Sequence, residues 1–326
     1  MKFQLYPLTV RPILKKKVWG GSSLSAFMNV KKAKIGEVWM FADQKENNSI
    51  ISNGYLKGLT IGAAIRKYPL QLLGAKLISK YGKKFPLLFK YLDVNDKLSV
   101  QVHPDDAAAK SKGYSAGKTE MWYILSNTLK SKLYIGFKNK QTKKSVSHAI
   151  ADNTILDKLK KYNTNKSDCY FIPAGTVHTI GKGNMIFEMQ QNSDITYRLY
   201  DWERNNINED RPLSIVDSLK SIKFDSNAGK IKTKLKLLSD NMYWRKLTKC
   251  KYFNSEELMV KKKTTICDSL NMARVITIIE GKIEIEITAN KKYSYSRGDI
   301  VFIPFGLSEL AITLYNNSRV IYTEII

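Results

Sequence analysis

The chain has 326 residues, enough for about two domains, and its 43% apolar and 25% charged content is that of a globular protein with a buried core, which excludes disorder and collagen-like structure. Lys and Arg total 54 against 29 Asp and Glu, a net charge of +25, so an anionic partner has to be considered. No segment approaches the roughly 18 uncharged apolar residues of a membrane span.

Residues 1–58 read as short strands broken at Gly20-Gly21, Asn47-Asn48 and Asn53-Gly54. Thr60 can cap a helix running to about Tyr68, and Pro69 opens another to about Tyr81, where Gly82 stops it. From Phe85 the period falls to two. Leu98, Val100 and Val102 alternate with Ser99, Gln101 and His103, a half-buried strand with one polar face. Met121–Leu125 and Leu133–Phe137 follow as strands around a turn at Asn127–Ser131. Val146, Ile150, Ile155 and Leu159 lie roughly on one stripe, which predicts a helix over Thr142–Tyr162. Cys169–Pro173, Met185–Met189 and Thr196–Tyr200 are strand-like. Residues 205–235 read as a helix near Pro212–Ile222 and a lysine-rich linker; short strands resume at Tyr243.

One internal repeat stands out. Asp168-Cys-Tyr-Phe-Ile-Pro-Ala-Gly175 is echoed by Asp299-Ile-Val-Phe-Ile-Pro-Phe-Gly306. In each, the proline ends a strand and the glycine supplies the turn. Two related all-β lobes follow, each a rolled antiparallel sandwich; a parallel α/β sheet is disfavoured because strands and helices do not alternate.

Lysine outnumbers arginine 45 to 9 and is scattered rather than gathered into a stripe or interleaved with aromatics. The charge is therefore read as compositional drift, with no specific nucleic-acid partner. Cys169, Cys250 and Cys267 are odd in number and far apart, which argues against a disulfide framework or thiolate zinc site. Together with a start that lacks the order of a signal peptide, this points to a cytoplasmic protein. The three histidines are His103, His148 and His178. Gln101 and His103 share a strand face, Glu120 opens the next strand, and His178 follows the Ile-Pro-Ala-Gly turn. Two imidazoles, a carboxylate and an amide oxygen form a plausible ligand set for a borderline divalent ion such as zinc, manganese or iron. His148, among Ser and Lys in a helical segment, reads as exposed.

Leu98-Ser-Val-Gln-Val-His-Pro-Asp-Asp106, Gly117-Lys-Thr-Glu120, Ile172-Pro-Ala-Gly-Thr-Val-His178 and Glu188–Asp201 together resemble the type I mannose-6-phosphate isomerases in their short bacterial form. Trp19-Gly-Gly21, Gly36-Glu-Val-Trp39 and Phe85–Lys90 match further motifs of that family in the same order. The resemblance runs from about residue 7 to 204 and is expected to reach the end. It implies two cupin-type jelly-roll lobes, 1–235 catalytic with helical segments near 60–84, 142–162 and 212–222, and 236–326 metal-free. It also implies one Zn2+ per chain on Gln101, His103, Glu120 and His178, and a metal-dependent interconversion of D-mannose 6-phosphate and D-fructose 6-phosphate through an enediol.

By the same positions, the resemblance places Arg198, Lys118 and Glu188 in the catalytic site. Arg198 would stabilise the oxyanion, and Glu188 would act as base or orient water. Ser99, Lys90, Arg204 and Trp19 are candidates for contact with the sugar phosphate. In the second copy of the repeat Glu309 stands where His178 stands in the first, and no Gln-x-His precedes it. The family's Ser-x-His after Gly-Glu-x-Trp is replaced by Ala42 and Gln44. No membrane is implied as partner, and the oligomeric state stays open, a monomer being slightly favoured. The rival readings are a sugar-phosphate-binding cupin without turnover and a basic nucleic-acid binder.

Overall fold

The computed structural model describes residues 4–28, 30–31, 33–202, 204, 212–287 and 291–326. It is mainly β, and contacts divide it into two units: Leu14–Trp39 with Leu88–Ile231, and Met1–Ile13 with Met40–Leu87 and Lys232–Ile326. The units interleave along the chain, where a single boundary after residue 235 was expected.

The unit built on Leu88–Ile231 holds two antiparallel sheets. The larger runs Ile13–Lys15, Glu37–Met40, Leu87–Val94, Asn184–Gln191, Glu120–Asn127, Cys169–Ile172, Gly229–Lys230. The smaller runs Tyr197–Tyr200, Val100–Val102, His178–Ile180, Lys132–Phe137, Leu159–Asn163. Their facing sides share a core in which Leu92, Trp122, Ile124, Tyr170 and Ile186 of one sheet meet Leu133, Ile135 and Ile180 of the other. This is the rolled sandwich expected from the strand pattern. The outer side of the smaller sheet is covered by the helix Lys143–Ala151 and by Ile215 and Leu219 of the helix Ile215–Ser221.

The helix expected over 142–162 ends at Ala151. Asn153 takes a left-handed φ of 56°, a conformation Asn tolerates better than most residues, and breaks the ladder. A short 3-10 turn, Ile155–Lys158, then leads into the strand Leu159–Asn163. Val146, Ile150, Ile155 and Leu159 nevertheless enter one core cluster. The apolar stripe was a true core signal carried by three different elements. The Pro212–Ile222 helix is observed as Ile215–Ser221, and residues 205–211 of the expected linker region lie outside the described residues.

The other unit holds a six-stranded sheet (Lys236–Ser239, Met242–Lys249, Phe253–Val260, Arg319–Ile325, Arg274–Glu280, Ile300–Ile303) and a four-stranded one (Thr264–Asp268, Leu310–Leu314, Lys282–Ile287, Lys291–Ser296). The helices Ile61–Lys67, Pro69–Leu72 and Gly74–Tyr81 belong here. Thr60 caps the first by accepting from Ala63 N at 3.1 Å, and Gly82 ends the last at φ 67°. The amides of Phe305 and Gly306 donate to Leu72 and Gln71 carbonyls at 2.9 Å, which fastens these helices to the second copy of the repeat. The repeat is structural: Cys169–Ile172 and Ile300–Ile303 are both strands ending in an Ile-Pro-x-Gly turn. Gly175 needs its positive φ of 93°, whereas Gly306 is required by close approach, since a Cβ there would lie 2.6 Å from Leu5 Cδ1.

Candidate active site

The two sheets of the Leu88–Ile231 unit each deliver half of the site. On the smaller sheet Gln101 is paired with His178 on one side and Arg198 on the other. On the larger sheet Glu120 is opposite Gln190, and Trp122 is opposite Glu188, so both carboxylates share one face. His103 follows the strand Val100–Val102 directly, and its carbonyl accepts from Gly175 N at 2.8 Å. That bond ties the His-Pro turn to the Ile-Pro-Ala-Gly turn. Asp105 caps the helix Asp106–Lys110 by accepting from Ala108 N at 3.1 Å. Asp106 accepts from Gly117 N at 3.0 Å and from Gln191 Nε2 at 2.8 Å, which sets the start of Gly117-Lys-Thr-Glu120.

Both imidazoles are fixed in one tautomer. His103 Nδ1 donates to the Ile195 carbonyl at 3.0 Å and His178 Nδ1 to the Thr176 carbonyl at 2.9 Å. A carbonyl only accepts, so each Nδ1 holds the proton and each Nε2 presents a lone pair. These Nε2 atoms lie 3.5 and 3.3 Å from Glu120 oxygens, and the three ligand groups fall within 4.8 Å of one another. The Gln101 amide stands 3.3 Å from His178 Nε2, and a half-turn of that amide presents its oxygen instead. Both Glu120 oxygens are buried and neither accepts a well-formed hydrogen bond, although Lys118 Nζ is 3.2 Å from Oε2.

Acceptors converging on one buried point are unfavourable without a cation between them. Burial, reinforced by Lys118, holds His103 well below the ordinary imidazole range, and burial takes His178 down to about 4. Both are neutral near pH 7, the form that binds metal. Burial likewise raises Glu120, with Lys118 opposing the shift. The donor set fits the divalent ion expected from the sequence.

Beside this cluster lies a cavity of about 310 Å³, at the small end of the roughly 300–1,000 Å³ typical of small-molecule sites. Its wall includes Gln101, Lys118, Glu188 and Arg198, and also Ser99, Lys90 and Trp19. Charges alternate along it. Lys90 Nζ stands 3.7 Å from Glu37, 3.5 Å from Glu188 and 3.8 Å from Asp194. It also lies 4.5 Å from the Trp39 ring centroid. Burial alone would lower the Lys90 ammonium, but these carboxylates outweigh it and hold it above its usual range. Two indoles cap the acids: Trp39 donates to Glu37 at 2.5 Å and Trp122 to Glu188 at 2.8 Å. Burial, with Glu120 adding repulsion, raises Glu188 above the ordinary carboxylate range. Lys118 Nζ lies 3.1 Å from His103 Nε2 and thus joins the His103–Glu120–His178 cluster to the cavity.

Of the residues expected to act on or contact the sugar phosphate, Arg204 alone is absent from the cavity lining, and His103, Glu120 and His178 lie beside the cavity rather than in its wall. The Arg204 guanidinium is engaged by Asp201, by the Lys97 carbonyl at 3.1 Å and by Asp96 at 3.7 Å. Glu37, Lys17, Asp194 and Tyr197 do line it and were not singled out. Gly36-Glu-Val-Trp39 held the signal for Glu37, because a carboxylate between glycine and tryptophan on a buried strand demands a partner. Ala42 is fully buried with its amide donating to Ser49 Oγ at 2.9 Å, and neither Ala42 nor Gln44 lines the cavity. His148 is exposed on its helix, and Glu309 is exposed just before the strand Leu310–Leu314.

Residues 8–149 match the family model described as phosphomannose isomerase type I, catalytic domain. The chain is 31% identical over 312 residues to the mannose-6-phosphate isomerase ManA of Bacillus subtilis, covering 95% of this chain and 96% of that one. A mannose 6-phosphate isomerase crystal structure from Bacillus subtilis superposes with a TM-score of 0.87 at 25% identity, over 98% of this chain and 99% of that one. A variant of the Salmonella typhimurium phosphomannose isomerase shares the fold, with a TM-score of 0.75 at 15% identity over 98% of this chain and 100% of that one. The chain belongs to the type I mannose-6-phosphate isomerase family.

Proposed function

We propose that this enzyme interconverts D-mannose 6-phosphate and D-fructose 6-phosphate through an enediol, with one zinc ion per chain held by Gln101, His103, Glu120 and His178. The observation that carries this reading is the convergence of two neutral Nε2 lone pairs on a buried Glu120, beside a charged cavity that Gln101 and Lys118 help to line. When bound, the ion would supply Lewis acidity that stabilises negative charge developing on a sugar oxygen.

The protein's own residues do the rest. The reaction moves a proton between C2 and C1, so it needs a base beside both carbons and a cation for the charge that develops on oxygen. Glu188 is the proposed base, since a carboxylate with a raised pKa is a stronger base than an exposed one and Trp122 fixes its orientation. Arg198, held opposite Gln101, is the proposed oxyanion partner. Lys118, in the cavity wall and 3.2 Å from Glu120, is the proposed carrier of a proton between the sugar oxygens and compensates Glu120. Lys90 keeps Glu37 and Glu188 ionised, and Ser99 and Trp19 shape the wall against the sugar. Catalysis is assigned to the unit containing Leu88–Ile231, and the second unit is assigned a packing role without metal.

The test is substitution with metal analysis. His178→Ala should lose both bound zinc and turnover of mannose 6-phosphate, whereas His148→Ala should change neither by more than about twofold. Full activity in His178→Ala would overturn the ligand assignment.

A further inference from the structure

The Leu88–Ile231 unit contains a second cavity, of about 430 Å³, whose wall shares no residue with the catalytic one. Lys138, Lys140, Lys160 and Lys223 line it against a single acid, Asp225. The catalytic cavity differs sharply, since its cations are interleaved with Glu37, Glu188 and Asp194. Lys223 is committed to Asp105 at 2.8 Å. The other three lysines have no carboxylate within ion-pair distance among the described residues, so their charge is uncompensated. Beside them Phe137 and Phe224, which both line the cavity and are partly buried, stack on each other at 5.7 Å with planes 13° apart. Thr176 and Ser226 contribute a hydroxyl pair 2.6 Å apart.

Scattered lysines alone would follow from the composition of the chain. A concave site that joins uncompensated lysines, hydroxyls and a pair of stacked phenylalanines in its wall has a more definite chemistry. Lysine ammonium groups bind phosphate as point charges, and an aromatic face accepts a planar base. We propose that this cavity binds a nucleoside phosphate, with its phosphates on Lys138, Lys140 and Lys160 and its base on the Phe137–Phe224 stack.

The test is calorimetric titration of the zinc-loaded protein with ADP and, separately, with inorganic pyrophosphate, each repeated with saturating mannose 6-phosphate present. The expected result is saturable ADP binding, unaffected by the sugar phosphate and at least about tenfold tighter than pyrophosphate binding. The double variant Lys138→Gln/Lys140→Gln should weaken both probes, and Phe224→Leu should remove only the margin of ADP over pyrophosphate. All three substituted side chains are at least partly exposed, and the KM for mannose 6-phosphate should be unchanged in every variant. Displacement of ADP by mannose 6-phosphate would place it in the catalytic cavity and overturn the proposal. So would equal affinity for the two probes, or binding that the substitutions leave intact.

Discussion

Lys90→Met keeps the stem of the side chain and removes the charge that stands among Glu37, Glu188 and Asp194. At 3.5–3.8 Å and an effective dielectric of about 20, Coulomb's law gives each contact roughly 4–5 kcal/mol of gross attraction. The Asp194 contact is discounted because that side chain is 52% exposed and screened by solvent. Desolvation of the ammonium offsets much of the remainder. Removing one member of a buried pair nets about 3–5 kcal/mol of destabilisation, because the carboxylates left behind are uncompensated. For a chain of 326 residues, with an unfolding entropy of roughly 2.1 cal/mol/K per residue, that lowers Tm by about 4–7 °C.

The same change raises Glu188 further, so less of it is ionised near neutrality. A base acts in its ionised form, and the acid limb of kcat/KM must therefore move to higher pH. Differential scanning fluorimetry and a pH–rate profile, with zinc content matched to the parent, measure both effects. Adding Glu37→Gln to Lys90→Met should recover part of the lost stability. An unchanged Tm and acid limb with only KM raised would refute this reasoning and make Lys90 a direct anchor for the substrate phosphate.

Arg198→Ala should lower kcat by about 100- to 1,000-fold with a smaller effect on KM, and Arg198→Lys should rescue poorly, because an ammonium lacks the planar fork; steady-state kinetics decide, and a rise confined to KM would move Arg198 to the phosphate. In chelated protein, His178 resists protonation in the fold but not in the unfolded chain. Its contribution is thus full above about pH 6.5 and lost as pH falls towards 4, roughly 3 kcal/mol across the window. Urea unfolding at pH 7 and pH 4.5, compared with His178→Asn, should show that loss shrink in the variant. Glu309→Ala should leave the zinc stoichiometry at one per chain by elemental analysis, since Glu309 is exposed; loss of a second ion would contradict the metal-free assignment of that lobe.

Legibility followed locality. The convergence of His103, Glu120 and His178 was readable because alternation along a strand and the Ile-Pro-x-Gly turn are local, and Thr60 and Gly82 were readable as cap and stop for the same reason. The repeat announced two sandwiches because proline and glycine mark a strand end by their own geometry. The helix over 142–162 was misjudged at its end because Ile155 and Leu159 point into the same core as Val146 and Ile150, and burial alone does not distinguish one helix from a helix, turn and strand. The segment Ile61–Tyr81 gives no local sign that it packs with Phe305 and Gly306, more than 220 positions away in the chain. Glu37 was quoted as part of a motif but not weighed as a site residue, since its importance lies in Lys90 and Lys17, which only the sheet brings near. Arg204 looked like a pocket cation in the sequence but is spent on Asp201 and the Lys97 carbonyl.

The most direct test of the account is metal content and mannose 6-phosphate turnover measured on the same purified protein, before chelation, after it, and after zinc is returned. The account predicts about one zinc per chain, activity lost in step with the metal, and both restored together. Turnover that persists at full rate in metal-free protein would contradict it.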